Sequence, residues 1–276
     1  MFKRIITAVI GLPAVIFLVY YGGWPLLLMC LAVALVGLRE LYHAFSKTDK
    51  PIHLVGYIAT VAYFVAAQHF GVGYWLLIAL MLFIITAQTC MVVFFKKLTL
   101  KDITVSIYGF LYVPFLLSFI ILVREHPLGQ YYVWLIFTSA FGCDTFAYLA
   151  GTTFGKRKLV NTPSPKKSVE GLIGGIIGAS LVGWLYGFFV SRFASADSYA
   201  MTNIMINAAV ISFFGAIFCI IGDMAASAVK RHANIKDFGR VFPGHGGVLD
   251  RVDGIIFVAP IVYLVMNVLF SITGYQ

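Results

Sequence analysis

The sequence predicts an all-α, polytopic integral membrane protein with about nine transmembrane helices. Three observations predict it. Hydrophobic residues make up 61% of the 276 and charged residues 11%, against about 25% charged in a soluble domain, so lipid must be the main solvent. The apolar runs are continuous, which suits helices that satisfy their own backbone in hydrocarbon and not the alternating pattern of a membrane β-barrel. The basic residues gather in every second connection between those runs.

A helix needs about 20 apolar residues to cross a bilayer, with a range of roughly 17–25. Runs of that kind fall at 5–21, 25–45, 54–70, 72–95, 103–123, 131–151, 170–191, 203–226 and 253–271. The first follows Met1-Phe2-Lys3-Arg4 and is read as a retained helix, because Gly22-Gly23-Trp24-Pro25 comes next and no small-residue cleavage pattern does. Arg39, Glu40 and His43 sit at the end of the second run. With the N-terminus in the cytosol, eighteen of the twenty lysines and arginines lie on the inner side, leaving only Arg124 and Arg192 outside. Tyr20, Tyr21 and Trp24, then Tyr74 and Trp75, then Tyr131, Tyr132 and Trp134 fall at outer ends, as an interfacial aromatic belt requires. The expected location is a cell membrane, N-terminus cytosolic and C-terminus outside.

The chain divides on this reading into a helical scaffold, 1–130, and a catalytic region, 131–276, with cytosolic loops at 152–169 and 227–252. The connections between spans two and three and between four and five read as ordinary topogenic loops. Cys30, Cys90, Cys143 and Cys219 are scattered through apolar runs and show no metal or disulfide spacing. The net charge of +9 is explained by topology, and no nucleic-acid partner is expected.

The densest polar stretch, Gly222 to Gly254, joins the last two runs. It holds four of the eleven carboxylates and five of the twenty lysines and arginines. Asp144, within span six, and Asp223, near the inner end of span eight, are acids at membrane depth, where a charge is costly and usually functional. Asp223, Ser227 and Lys230 or Arg231 share one helical face, and so do Asp250 and Asp253 if the last helix begins near Asp250. Carboxylates with cations among them suit a hard divalent ion, with lysine and arginine on phosphates. An acid capping a helix start is the plainer account of Asp250 alone. Pro243-Gly244-His245-Gly246-Gly247 is a turn whose backbone N–H groups could approach an anion. Ser164-Pro165-Lys166-Lys167-Ser168 is either a solvated basic loop, with Ser168 capping a helix start at Glu170, or a polyphosphate contact through Lys166 and Lys167.

These residues carry a family resemblance. The run S-x-x-K-R-x-x-x-x-K-D from Ser227 through Lys236 to Asp237, and P-G-H-G-G-x-L-D-R-x-D from Pro243 to Asp253, resemble the signature of the phosphatidate cytidylyltransferases. D-T-x-A-Y at Asp144 to Tyr148 and S-P-x-K-S-x-E-G at Ser164 to Gly171 resemble the same family. The likeness is strong from about 140 onward. Val169 stands where that family often has tryptophan, and Phe238 and Arg240 where smaller or neutral residues are common.

The resemblance implies a membrane enzyme that joins CTP to phosphatidate at the cytosolic face, giving CDP-diacylglycerol and pyrophosphate. It implies Mg²⁺, with room for a second metal ion, and a homodimer in membrane lipid. The implied metal ligands are Asp223 and Asp250 first, then Asp144 and Asp253. Lys230, Arg231 and Arg251 would hold phosphates, and Lys167 and Ser168, with Lys166, would close over the nucleotide. Ser227, Lys236 and Asp237 would line the substrate. His245 with Gly246 and Gly247 would cradle the leaving pyrophosphate. A CTP-using polyprenol kinase would instead release CDP. A transporter would need acids at the midplane and an internal repeat, and neither is visible.

Overall fold

A computed structural model describes residues 2–46, 49–70, 74–159, 163–165, 167–193, 203–241 and 246–273. Among the described residues every expected span is helical. The helices are α1 (Phe2–Tyr21), α2 (Gly23–Phe45), α3 (His53–Phe70), α4 (Tyr74–Val93), α5 (Leu100–Phe110), α6 (Leu116–Glu125), α7 (Gly129–Phe154), α8 (Val169–Phe193), α9 (Ile204–His232) and α10 (Leu249–Thr273). A π turn, Leu111–Phe115, fuses α5 and α6 into one rod. That rod and α2, α4, α7, α8, α9 and α10 are seven helices long and apolar enough to cross a membrane. The described part of α1 with that character is the shorter Gly11–Tyr21. Large apolar side chains such as Leu77, Met81, Leu82 and Ile85 on α4 stay exposed, as lipid-facing residues should.

The chain forms two compact units. The first comprises Met1–Glu125 with Lys230–Val252, the second His126–Val229 with Asp253–Gln276. The division falls within the continuous helices α9 and α10, so the polar stretch 230–252 belongs to the unit built by the N-terminal helices.

In the first unit Tyr42 is the central wedge. It is fully buried, and its hydroxyl donates to the Ser106 carbonyl at 2.8 Å. Gly56 on α3 and Gly109 on α5 press against its ring, and a Cβ at either position would collide with it. Tyr63 meets Phe110 edge-on at 5.6 Å, and Phe83 packs on the same ring at 4.4 Å. Pro114 lies in the π turn. Proline lacks an N–H and crowds the carbonyl four residues back, so widening by one residue relieves the clash without ending the rod. Thr99 and Asp102 make a reciprocal capping box that starts α5. Asp102 also accepts the Lys50 N–H, so the loop after α2 is tied to α5. Arg124 closes the other end of α1 by donating to the carbonyls of Val19 and Tyr20 at 3.3 and 3.1 Å.

In the second unit α7 and α8 touch backbone to backbone. Gly174, Gly175 and Gly178 on α8 face Ala150, Cys143 and Phe146 on α7 with no space for a Cβ. Small residues permit this approach where lipid offers no hydrophobic drive between helices. Ser139 and Ser212 hydrogen-bond across α7 and α9 at 3.2 Å. The Tyr186 hydroxyl donates to the Tyr131 carbonyl at 2.6 Å.

Candidate active site

Two clusters of acids and lysines are described, one in each unit. In the second unit the loop after α7 folds back as a small hairpin. Leu159 donates to the Lys167 carbonyl, Val169 donates to the Arg157 carbonyl, each at 2.9 Å, and Lys158 bridges Ser168. Glu170, in the first turn of α8, accepts the N–H groups of Lys156 and Arg157 at 3.1 Å. Ser168 caps α8 through Gly171 N–H at 3.2 Å, as the sequence led us to expect. This folding fixes Lys167, whose ammonium forms an ion pair with Asp223 of α9. Asp144 of α7 lies within electrostatic reach of both Asp223 and Lys167, and it is exposed. Asp144, Asp223 and Lys167 are thus brought together within the second unit, while Asp250 belongs to the first. Asp253 accepts the following N–H of Gly254 at 2.9 Å. Its own carbonyl lies so close to Gly222 of α9 that a Cβ there would sit 2.8 Å away.

In the first unit Asp250 organises the end of the polar stretch. One of its oxygens accepts from Lys230 Nζ at 2.8 Å. The other accepts the N–H of Phe238 at 2.9 Å and of Gly247 at 3.0 Å. The helix indeed begins at Leu249, which puts Asp250 in its first turn. Lys230 also lies 5.4 Å from the centre of the Phe238 ring, a cation–π contact. Beyond it α9 stops cleanly. Asn234 takes a positive φ of 53°, and Ile235 and Asn234 donate to the carbonyls of Lys230 and Arg231 at 2.9 and 3.1 Å. That is a Schellman-type ending with asparagine in the glycine position. Arg231, Lys236, Asp237 and Arg251 are exposed, and Ser227 is partly so. His245 and Lys166 lie outside the described residues.

The sequence reading missed one residue here. Glu40 of α2 is buried, 6% exposed. Its carboxylate accepts the N–H groups of Val248 and Leu249 at 3.0 and 2.8 Å, so it occupies the positive end of α10. Gly239 and Gly247 lie against it, and a Cβ at either would run into the carboxylate. Gly247 is thus glycine for a packing reason, and Gly246 for a conformational one, φ 83°. Glu40 sits about 200 residues before its partners, and no local pattern marks such a contact. Its one visible signal was an acid inside an apolar run.

The donor set suits a hard divalent cation. Carboxylate oxygens predominate, and a lysine ammonium already sits on each of Asp223 and Asp250. Among the described residues no three histidine, cysteine or acidic side chains converge.

Comparison with known proteins gives a consistent answer. Residues 2–269 match the model of the cytidylyltransferase family. A phosphatidate cytidylyltransferase of Staphylococcus saprophyticus is 30% identical over 270 residues, 95% of this chain and 98% of the relative. One from Staphylococcus haemolyticus is 31% identical over the same length and shares. One from Thermotoga maritima is 37% identical over 169 residues, 61% of each chain.

Proposed function

The chain belongs to the cytidylyltransferase family and is a multi-pass membrane nucleotidyltransferase of the phosphatidate cytidylyltransferase kind, and from that premise we propose how its residues work. The substrates are CTP and phosphatidate. A phosphate oxygen of phosphatidate attacks the α-phosphorus of CTP. The new P–O–P bond forms, the bond to the β-phosphate oxygen breaks, and pyrophosphate leaves with that electron pair. The lipid phosphate is itself the nucleophile, so no serine or cysteine need react.

The obstacle is charge. CTP brings about four negative charges near neutral pH and the lipid phosphate one to two more. Asp223, with Asp144 and Asp253, in one unit and Asp250 in the other are each proposed as donors to a divalent cation. A divalent cation held by these acids would supply the charge neutralisation that lets the phosphates approach. Lys167 and Lys230 rest on Asp223 and Asp250. Each would exchange its carboxylate for a substrate phosphate when the nucleotide binds. Arg231 and Arg251 add charge for the phosphates, and Ser227, Lys236 and Asp237 line the approach. Lys166, Lys167 and the Ser168 cap close over the nucleotide. His245 and Gly246 receive pyrophosphate, with Gly247 as the anchored end of their loop. Catalysis is then positioning and electrostatic stabilisation.

The observation that carries this reading is the pairing of Asp223 with Lys167 beside Asp144, which brings two acids from α7 and α9 together with a lysine from the loop that joins α7 to α8. The site is proposed to face the cytosol of a bacterial inner membrane, the side on which the basic loops fall, and the protein to work as a homodimer. Purified protein given α-labelled CTP, Mg²⁺ and phosphatidate should yield labelled lipid and free pyrophosphate in equal amounts. Release of labelled CDP with phosphorylated lipid would overturn the assignment.

A further inference from the structure

We propose that the groove between α2 and α3 is the seat of the acceptor lipid, with Arg39 on its phosphate. The inference rests on the reaction proposed above and adds a binding site to it. The groove is shallow and open, offers about 700 Å³, and is lined by Leu35, Val36, Arg39, Tyr57, Ile58, Val61 and Ala62. Its walls follow helical faces, residues 35, 36 and 39 on one side and 57, 58, 61 and 62 on the other. Ile58 and Val61 are 61% and 41% exposed, so the groove is open and apolar along its length.

The charged end is what selects the occupant. Arg39 is exposed and is the one charged residue in the lining. It lies at the end of α2 where Tyr57 begins the opposite wall, while the apolar residues run back toward the middle of both helices. A site with a guanidinium at one end and hydrocarbon behind it matches a lipid whose headgroup is a bare phosphate. Guanidinium binds phosphate through two parallel N–H donors, and acyl chain fills the rest. Glu40, the next residue, holds the N-terminus of α10 through Val248 and Leu249. The same turn of α2 therefore carries the lipid's cation and the anchor of the Asp250 segment, within one compact unit. Gly56 against Tyr42 keeps α3 close to α2 beside this point.

Two arms test it. In mixed micelles, Arg39→Gln should raise KM for phosphatidate about tenfold or more, as loss of a charge-assisted phosphate contact does, and leave KM for CTP unchanged. Arg39→Lys should recover part of that loss, and Ile58→Trp, which fills the groove, should also raise KM for phosphatidate. In the second arm, phosphatidate carrying a photoreactive acyl chain should label the 57–62 segment, and unlabelled phosphatidate should compete better than phosphatidylcholine of the same chains. An unchanged phosphatidate KM in Arg39→Gln, a parallel rise for CTP, or equal competition by phosphatidylcholine would overturn the groove assignment. Wild-type protein that forms no labelled CDP-lipid would instead count against the reaction, and the labelling arm still reads the groove.

Discussion

At the scale of single residues, Glu40 is the side chain whose loss should be felt most outside the acids proposed to hold the cation. A carboxylate offers an acceptor to each of two N–H donors, and Val248 and Leu249 use both. Glutamine has one acceptor and sets an NH₂ against the other donor. Glu40→Gln should cost about 1–3 kcal/mol, the usual penalty for a buried donor left unsatisfied. Denaturant or thermal unfolding in detergent measures it, and unchanged stability would show that the contact is unimportant. His126 offers a pH readout. It lies between the membrane-spanning helices, stacked on Phe270 at 4.8 Å, and its Nδ1 accepts the Leu128 N–H. Burial holds its pKa below the ordinary 6.5. The fold thus favours the neutral ring, and its contribution is complete above about pH 6.5 and is lost as pH falls through the lowered folded value. Replacing His126 with glutamine should flatten stability against pH in that acidic window. A wild-type slope that persists in the variant would assign the effect elsewhere.

At the scale of elements, helix existence was legible and helix contact was not. The run expected at 131–151 is α7, Gly129–Phe154, and the run expected at 103–123 is the α5–α6 rod. Hydropathy sees the apolar length that a bilayer demands, so it finds these rods to within a few residues. Ser168 was legible as a cap because capping is a local pattern. The π turn at Pro114 was passed over, since proline alone does not say whether a helix kinks, ends or widens. The α7–α8 seam was passed over because glycines at 174, 175 and 178 spell a contact only when the facing helix is known. Gly175 shows what the seam requires. A Cβ there would lie 2.9 Å from the Cys143 carbonyl and 3.0 Å from the Ala147 Cβ. Gly175→Val should destabilise by about 1–3 kcal/mol through overpacking. Gly11, which has nothing within 4 Å of a Cβ, is the control, and Gly11→Ala should be neutral or slightly stabilising. Equal effects in thermal unfolding would mean the seam is not tight.

At the scale of the whole molecule, the sequence motifs of the polar stretch were readable as a signature, and their division between two compact units was not. A run of residues contiguous in sequence reads as one loop. Packing instead gives 230–252 to the unit of the N-terminal helices, through Glu40 and through His232 against Phe45. The N-terminal helices therefore hold part of the proposed machinery as well as the groove assigned to the lipid. The proposed function is electrostatic: acids at membrane depth would hold a cation so that two anionic substrates can meet. The most direct test is the Mg²⁺ dependence of turnover in purified, folded protein, wild type against Asp223→Asn. The account predicts a loss of at least about a hundredfold in the variant at any Mg²⁺ concentration, the scale of removing a principal electrostatic group. Turnover near the wild-type rate, with the same Mg²⁺ response, would contradict it.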